Sequence, residues 1–243
     1  MEATALLIVL AVFLVAVLYS SVGHGGASGY LAVMAFLAVA PEITRPTALI
    51  LNLFVASVGA FQFYRAGHFS WSIFWPFAVT SIPLSFIGGM VVLPTNLYKI
   101  LLGLALLFAA FRLAWSFSKS VEVKAPSFSI ALICGACLGL LSGLVGVGGG
   151  IFLTPLLLLM NWSEAKTAAG VSALFILVNS AAGLLGNYRQ VGVLPSDVWL
   201  WIVAAILGGV IGSLLGARRF DSLTLRRVLA IVLLMAAIKL IVV

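Results

Sequence analysis

Of the 243 residues, 64% are hydrophobic and only 8% charged, and the mean hydropathy is +1.29. A water-soluble domain carries about 25% charged residues, so this composition excludes one; the apolar runs are spaced as helical spans and lack the alternation of a membrane β-barrel. The net charge of +7 comes from basic residues scattered singly at segment ends plus one arginine-rich loop, which excludes a nucleic-acid surface and fits orientation in a lipid bilayer.

Ten apolar segments are expected, at roughly 3–20, 30–40, 47–64, 72–92, 97–117, 128–144, 151–160, 168–187, 196–216 and 224–243. The first lacks a positively charged lead, its only early charge being Glu2, and no small-residue cleavage site is evident, so it reads as a helix and not as a signal peptide. It ends in SVGHGGASG, Ser21–Gly29. The second segment is only about ten residues, roughly 15 Å of helix, half of a bilayer core of about 30 Å. On the third, Asn52, Gly59 and Gln62 fall near one face, and Tyr64–Arg65 follow its end. The fourth carries Gly88–Gly89. After the fifth comes KSVEVKAP, 119–126, the most polar connection of its length.

The sixth segment holds Cys134 and Cys137, a lone CxxC. Zinc needs about four ligands and no second pair exists, so neither metal nor cofactor is expected; the pair reads as helix packing or, alternatively, as a redox or substrate-handling thiol. A second glycine break follows, LVGVGGGIF from Leu144, and again a short segment, the seventh. The eighth places Ser172, Asn179 and Gly183 near one face and is followed by Tyr188–Arg189. The ninth carries Gly212–Ser213, and Arg218, Arg219, Arg226 and Arg227 precede the tenth. Gly59, Gly103, Gly135 and Gly139 read as close-packing positions.

The order long, short, long, long, long therefore occurs twice. Gly23, Gly25 and Gly26 align with Gly146, Gly148 and Gly149, Pro46–Ala48 with Lys166–Ala168, Tyr64–Arg65 with Tyr188–Arg189, and Gly88–Gly89 with Gly212–Ser213. Two repeats, 1–118 and 127–243, joined by a cytoplasmic linker at 119–126, are the expected organisation. If each long-plus-short pair crosses once, Lys and Arg divide 6 inside to 7 outside; if each pair returns to its starting side, they divide 9 to 4. The positive-inside rule prefers the second arrangement. Each half then crosses an odd number of times, giving inverted repeats with interrupted helices, a recurring plan of secondary transporters. The fold expectation is an all-α polytopic membrane protein with eight full-length spans and two half-helices after glycine breaks.

Non-helical backbone survives in lipid only where protein or a water-filled cavity satisfies it. The two half-helices begin just past Gly26 and Gly149, and helix N-termini offer N–H groups and partial positive charge to anions. All six acids (Glu2, Glu42, Glu122, Glu164, Asp197, Asp221) fall at segment ends or in loops, where a cation pump would place carboxylates at mid-span. The candidate binding residues are Gly23, His24, Gly25, Gly26, Gly146, Gly148, Gly149 and Gly150, completed by Asn52, Gln62, Ser172 and Asn179. The last four read equally as interhelical hydrogen-bonding groups. His24, whose counterpart is Val147, is either the carrier of a coupled proton or a neutral hydrogen-bonded histidine. Tyr64, Arg65, Tyr188 and Arg189 are interfacial anchors or a pair of anion-attracting gates.

The paired motifs VGHGGAS and VGVGGGIFLTPLLL, with KTAAGVSAL and GNYRQVG, resemble those of the sulfite exporter TauE/SafE family, also called the toluene sulfonate uptake permease family. The resemblance spans essentially the whole chain. In the first motif, His24 stands at a variable position and Ala27–Ser28 replace a third glycine. The resemblance implies an integral inner-membrane permease for sulfite, sulfonates or related small anions. The expected function is alternating access around a midplane anion site, with a proton or sodium ion as candidate coupling partner. The alternatives are a passive small-anion channel and an accessory subunit. An intramembrane enzyme finds no support, since HExxH, GxSxG and a mid-span acid pair are lacking. The anion, the direction of transport and the oligomeric state stay open at this level.

Overall fold

The computed structural model describes residues 2–21, 23–37, 39–114, 123–124, 126–188, 194, 197–218, 233–235, 237–238 and 241. The described residues form α1 (Glu2–Ser20), α2 (Ala27–Phe36), α3 (Pro41–Arg65), α4 (Trp71–Met90), α5 (Thr95–Ala114), α6 (Phe128–Val145), α7 (Gly150–Leu159), α8 (Ala165–Gly186) and α9 (Val198–Arg218), and no strand occurs among them. Most of the expected linker 119–126, the arginine-rich loop and most of the tenth segment lie outside the described residues.

Among the described residues, five helical stretches are long and apolar enough to cross a membrane: Glu42–Arg65, Trp71–Met90, Phe128–Val145, Ala165–Gly186 and Val198–Gly216. α1 and α5 run 19 and 20 residues, close to 30 Å each at about 1.5 Å per residue. α2 and α7 have 10 residues each, the half-length helices expected after the breaks. α3 starts at Pro41, about two turns before the apolar run. Pro41 occupies the first turn, where its missing N–H costs nothing, and Glu42 favours the positive helix start.

The helices pair across the two halves. The most extensive contacts are α4 with α6 and α1 with α9, followed by α3 with α8. α1 and α9 run parallel: Gly208, Gly212 and Gly216 lie directly on the Phe13, Val17 and Ser21 carbonyls. α4 and α6 are likewise parallel, with Gly135, Gly139 and Gly143 against the Phe77, Ser81 and Ser85 carbonyls. Removing the side chain lets two helix backbones touch, which is how membrane helices gain packing energy without a hydrophobic drive. Thr80 Oγ1 adds a bond to the Leu132 carbonyl (2.7 Å) and Ser85 Oγ one to the Asn179 carbonyl (2.8 Å).

α3 and α8 run antiparallel. Leu49 meets Gly183, Asn52 meets Ser180, Ala173 faces Gly59, and Phe63 meets Gly170. The contacts repeat between halves. Gly88 abuts Leu140 as Gly212 abuts Val17, and Gly146 abuts Arg45 as Gly23 abuts Ala169. This last pair matches Arg45 with Ala169, so Pro46–Ala48 corresponds to Gly170–Ser172, one helical turn beyond the Lys166–Ala168 match read from the letters alone.

Candidate functional site

Both breaks are built from left-handed backbone. Gly26 (φ 96°) is the N-cap of α2 and Gly149 (φ 78°) the N-cap of α7, and neither helix start carries a side-chain cap. Any other L-residue in that conformation costs about 1–2 kcal/mol. Just before them, the His24 N–H donates to the Tyr19 carbonyl (2.9 Å) and the Gly146 N–H to the Ser142 carbonyl (2.9 Å), closing α1 and α6. The first-turn N–H groups of each half-helix have no acceptor within their own helix.

The two breaks converge on one point of α3 and α8. Asn52 is 0% exposed. Its Nδ2 donates to the Val147 carbonyl in the second break (3.3 Å) and to Ser180 Oγ (3.3 Å). A methyl added at Gly25, in the first break, would stand 2.6 Å from Asn52 Oδ1 and 3.0 Å from Ile176 Cγ2. A methyl at Gly148, the equivalent position, would stand 2.6 Å from Asn52 Nδ2 and 2.9 Å from Ile176 Cγ2. The Asn52–Ile176 pair thus fills the same place for both breaks, polar on one side and apolar on the other. Asn52 also lies near the middle of α3, eleven residues or about 16 Å from its start.

A small cavity opens at the N-terminus of α2. It is lined by His24, Gly25, Gly26, Ala27 and Ser28, with Tyr19, Val147, Ile151 and Ile176 closing it. It has room for about one water. The hydroxyls of Tyr19 and Ser142 are buried at equivalent places: Tyr19 on the cavity wall beside Ser28, Ser142 against Gly149 and without a hydrogen-bond partner. The described carboxylates keep away. Glu42 is in the first turn of α3, Glu164 is the N-cap of α8, and Asp197 precedes α9.

The other candidates separate into those at the breaks and those elsewhere. Gly23 packs on Ala169, Gly150 on Ile176, and half-buried His24 lines the cavity. Ser172 accepts a hydrogen bond from Thr154 Oγ1 (2.7 Å), tying α7 to α8. Asn179 Nδ2 donates to its own helix at the Phe175 carbonyl (2.8 Å), on the side of α8 that meets α4. Gln62 lies ten residues beyond Asn52, at the level of Gly170, with Oε1 buried and unpartnered. Tyr64 is 58% exposed with its ring edge on Phe69, and the Arg65 guanidinium sits over the Phe61 ring, 5.6 Å from its centroid. Tyr188 is exposed, and Arg189 lies outside the described residues. Cys134 and Cys137 are free thiols on α6.

One buried cation escaped the sequence reading. Arg45 is 4% exposed, donates to the carbonyls of Gly88 (2.7 Å), Gly89 (2.9 Å) and Val91 (2.9 Å), and lays its stem on Gly146. It sits two turns before Asn52 on the same face of α3. That seven-residue spacing was the signal available in the sequence. Ile176 gave none, being one apolar residue among many.

Paired half-helices set between cross-packed long ones define a multi-pass helical protein of the membrane-transporter class. Residues 8–240 match the sulfite exporter TauE/SafE family, and the chain belongs to that family. It is similar to the "Probable membrane transporter protein y4hK" of Sinorhizobium fredii, with 40% identity over 245 residues and 99% of both chains covered. It is also similar to the "Probable membrane transporter protein YdhB" of Bacillus subtilis, with 27% identity over 222 residues, 88% of this chain and 89% of the relative. No solved structure matches.

Proposed function

We propose that the protein is a permease for small anions, sulfur oxyanions or sulfonates above all, that binds its substrate where the two glycine breaks meet. The observation that carries this reading is the convergence of both breaks on Asn52 and Ile176, beside the starts of two uncapped half-length helices and away from every described carboxylate. Backbone N–H groups and a helix dipole end favour an anion without a charged side chain. The family description, sulfite exporter, supports this substrate class.

The halves act as inverted repeats in this reading. Support comes from the antiparallel run of α3 against α8 and from the repeated contacts Gly88–Leu140 and Gly212–Val17. A two-fold relation that sets equivalent helices antiparallel has its axis across them, hence in the membrane plane when they span. Rocking of one repeat against the other would then expose the site to each side in turn.

The test is flux of radiolabelled sulfite and small sulfonates into liposomes holding the purified protein. Replacing Gly149 with Leu forces a side chain into left-handed backbone and against Phe175, 2.8 Å from where a methyl would stand. Uptake should fall by at least tenfold while membrane insertion is unchanged. Full activity in that variant would refute a backbone site at the second break.

A further inference from the structure

We propose that the transported anion carries its own hydrogen-bond donor and gives it to Asn52 Oδ1. The substrate class narrows to protonated oxyanions such as hydrogensulfite and to hydroxy- or amino-substituted sulfonates and carboxylates. Anions that offer only acceptors, such as unsubstituted alkylsulfonates, are the poorer ligands. This rests on the anion-site reading given above and goes beyond it by adding a polar requirement of opposite sense.

The orientation of the Asn52 amide is fixed by its neighbours. The Val147 carbonyl can only accept, so the atom 3.3 Å from it must be the amide nitrogen. Turning the amide over would set two acceptors against each other. The same nitrogen reaches Ser180 Oγ. Oδ1 is therefore held on the side of Gly25, where a methyl would come within 2.6 Å of it. There it is buried and has no hydrogen-bond partner. Gly25 lines the cavity, and Val147 and Ile176, which both touch Asn52 or its immediate surroundings, line it too. A site meant only for an acceptor-rich anion would present donors at every point. This one sets an acceptor directly behind Gly25, one layer back from the cavity wall.

The rest of the wall complements that acceptor. The Tyr19 hydroxyl is buried on the cavity beside Ser28, and its proton can turn to an anionic oxygen. The first turn of α2, Ala27–Ser28, offers backbone N–H groups on the same wall. A substrate with an anionic end and a hydroxyl, amino or acid proton satisfies both sets. One without the proton leaves Oδ1 unpaired, and sites built around a substrate OH or NH reject analogues that lack it. For one buried acceptor the expected discrimination is on the order of tenfold to hundredfold.

Two matched pairs of anions test this on the full-length protein in detergent: methanesulfonate against hydroxymethanesulfonate, and ethanesulfonate against 2-hydroxyethanesulfonate. Within each pair the charge is equal and the size nearly so. Graded thermal stabilisation gives each dissociation constant. The hydroxylated member should bind about tenfold or more tightly in at least one pair, and Asn52→Leu, its fold checked by a cooperative melt without anion, should shrink that ratio to below about twofold whatever its effect on the plain sulfonates. Equal affinities within both pairs would overturn the donor requirement and leave the anion site standing. Binding of none of the four would overturn both. A hydroxyl preference that persists in Asn52→Leu would remove the assignment to Asn52.

Discussion

The buried Arg45 gives the sharpest stability prediction. Its guanidinium makes three hydrogen bonds of 2.7 to 2.9 Å to the Gly88, Gly89 and Val91 carbonyls. These carbonyls belong to the last turn and C-cap of α4, where helical donors run out; Gly88 alone of the three also receives a backbone bond, from the Val91 N–H at 3.3 Å. The planar fork fits several acceptors at once, and its charge meets the negative end of the helix. Hydrogen bonds to a charged group contribute about 1.5–3 kcal/mol each. Three made by one buried group are not additive, and the cost of desolvating the cation offsets part of them, so a net loss of about 3 kcal/mol is expected for Arg45→Met, which keeps the stem against Gly146. At roughly 2–4 °C per kcal/mol for a chain of this length, thermal unfolding in detergent should drop by about 6–12 °C. Arg45→Lys, with a compact ammonium in place of the fork, should recover about half of that. An Arg45→Met protein melting within a degree or two of the parent would refute the idea that Arg45 closes the end of α4.

Three further outcomes are expected. Gly88→Ala and Gly212→Ala set a methyl against equivalent backbone atoms of α6 and α1 and should each destabilise by about 1–3 kcal/mol; Gly59→Ala meets only Ala173 at 3.7 Å and should be neutral or slightly stabilising in the same melting assay. Single cysteines at Tyr64 and Tyr188, both exposed, placed in a background lacking Cys134 and Cys137, should react with impermeant maleimide from opposite sides of the membrane. His24→Ala should leave anion binding in the thermal assay within about twofold and flatten any dependence of uptake on pH between about 5 and 8, where an imidazole titrates; an unchanged profile would confine His24 to the cavity wall.

Hydropathy placed the nine described helices because in a bilayer every span must be apolar and helical. The glycine break placed the start of α2 just past Gly26, as found, although its apolar run begins only at Tyr30: one left-handed glycine suffices as N-cap and Ser28 and Gly29 already wind as helix. Hydropathy put the start of α8 three residues late and that of α3 six. α3 begins at Pro41, because its polar first turns are helical and Arg45 is buried instead of facing water. The glycine breaks and Asn52 were legible as polar interruptions in apolar sequence. Their meeting point was not, since it depends on which helices pair, and glycines at four-residue spacing announce a close neighbour without naming it. Nor could composition show that Asn52 answers to Ile176 in the other half.

The cross-pairing of the long helices also sets the order of assembly. α1 is made well before its principal partner α9, the last helix described in full, and α4 must likewise wait for α6. At synthesis rates of about 5–20 residues per second, α1 spends on the order of ten seconds or more in the membrane with its contact face against lipid or the insertion machinery. Neither half can complete its own packing, so a chain interrupted at mid-length should be a target for membrane quality control and not a smaller working protein.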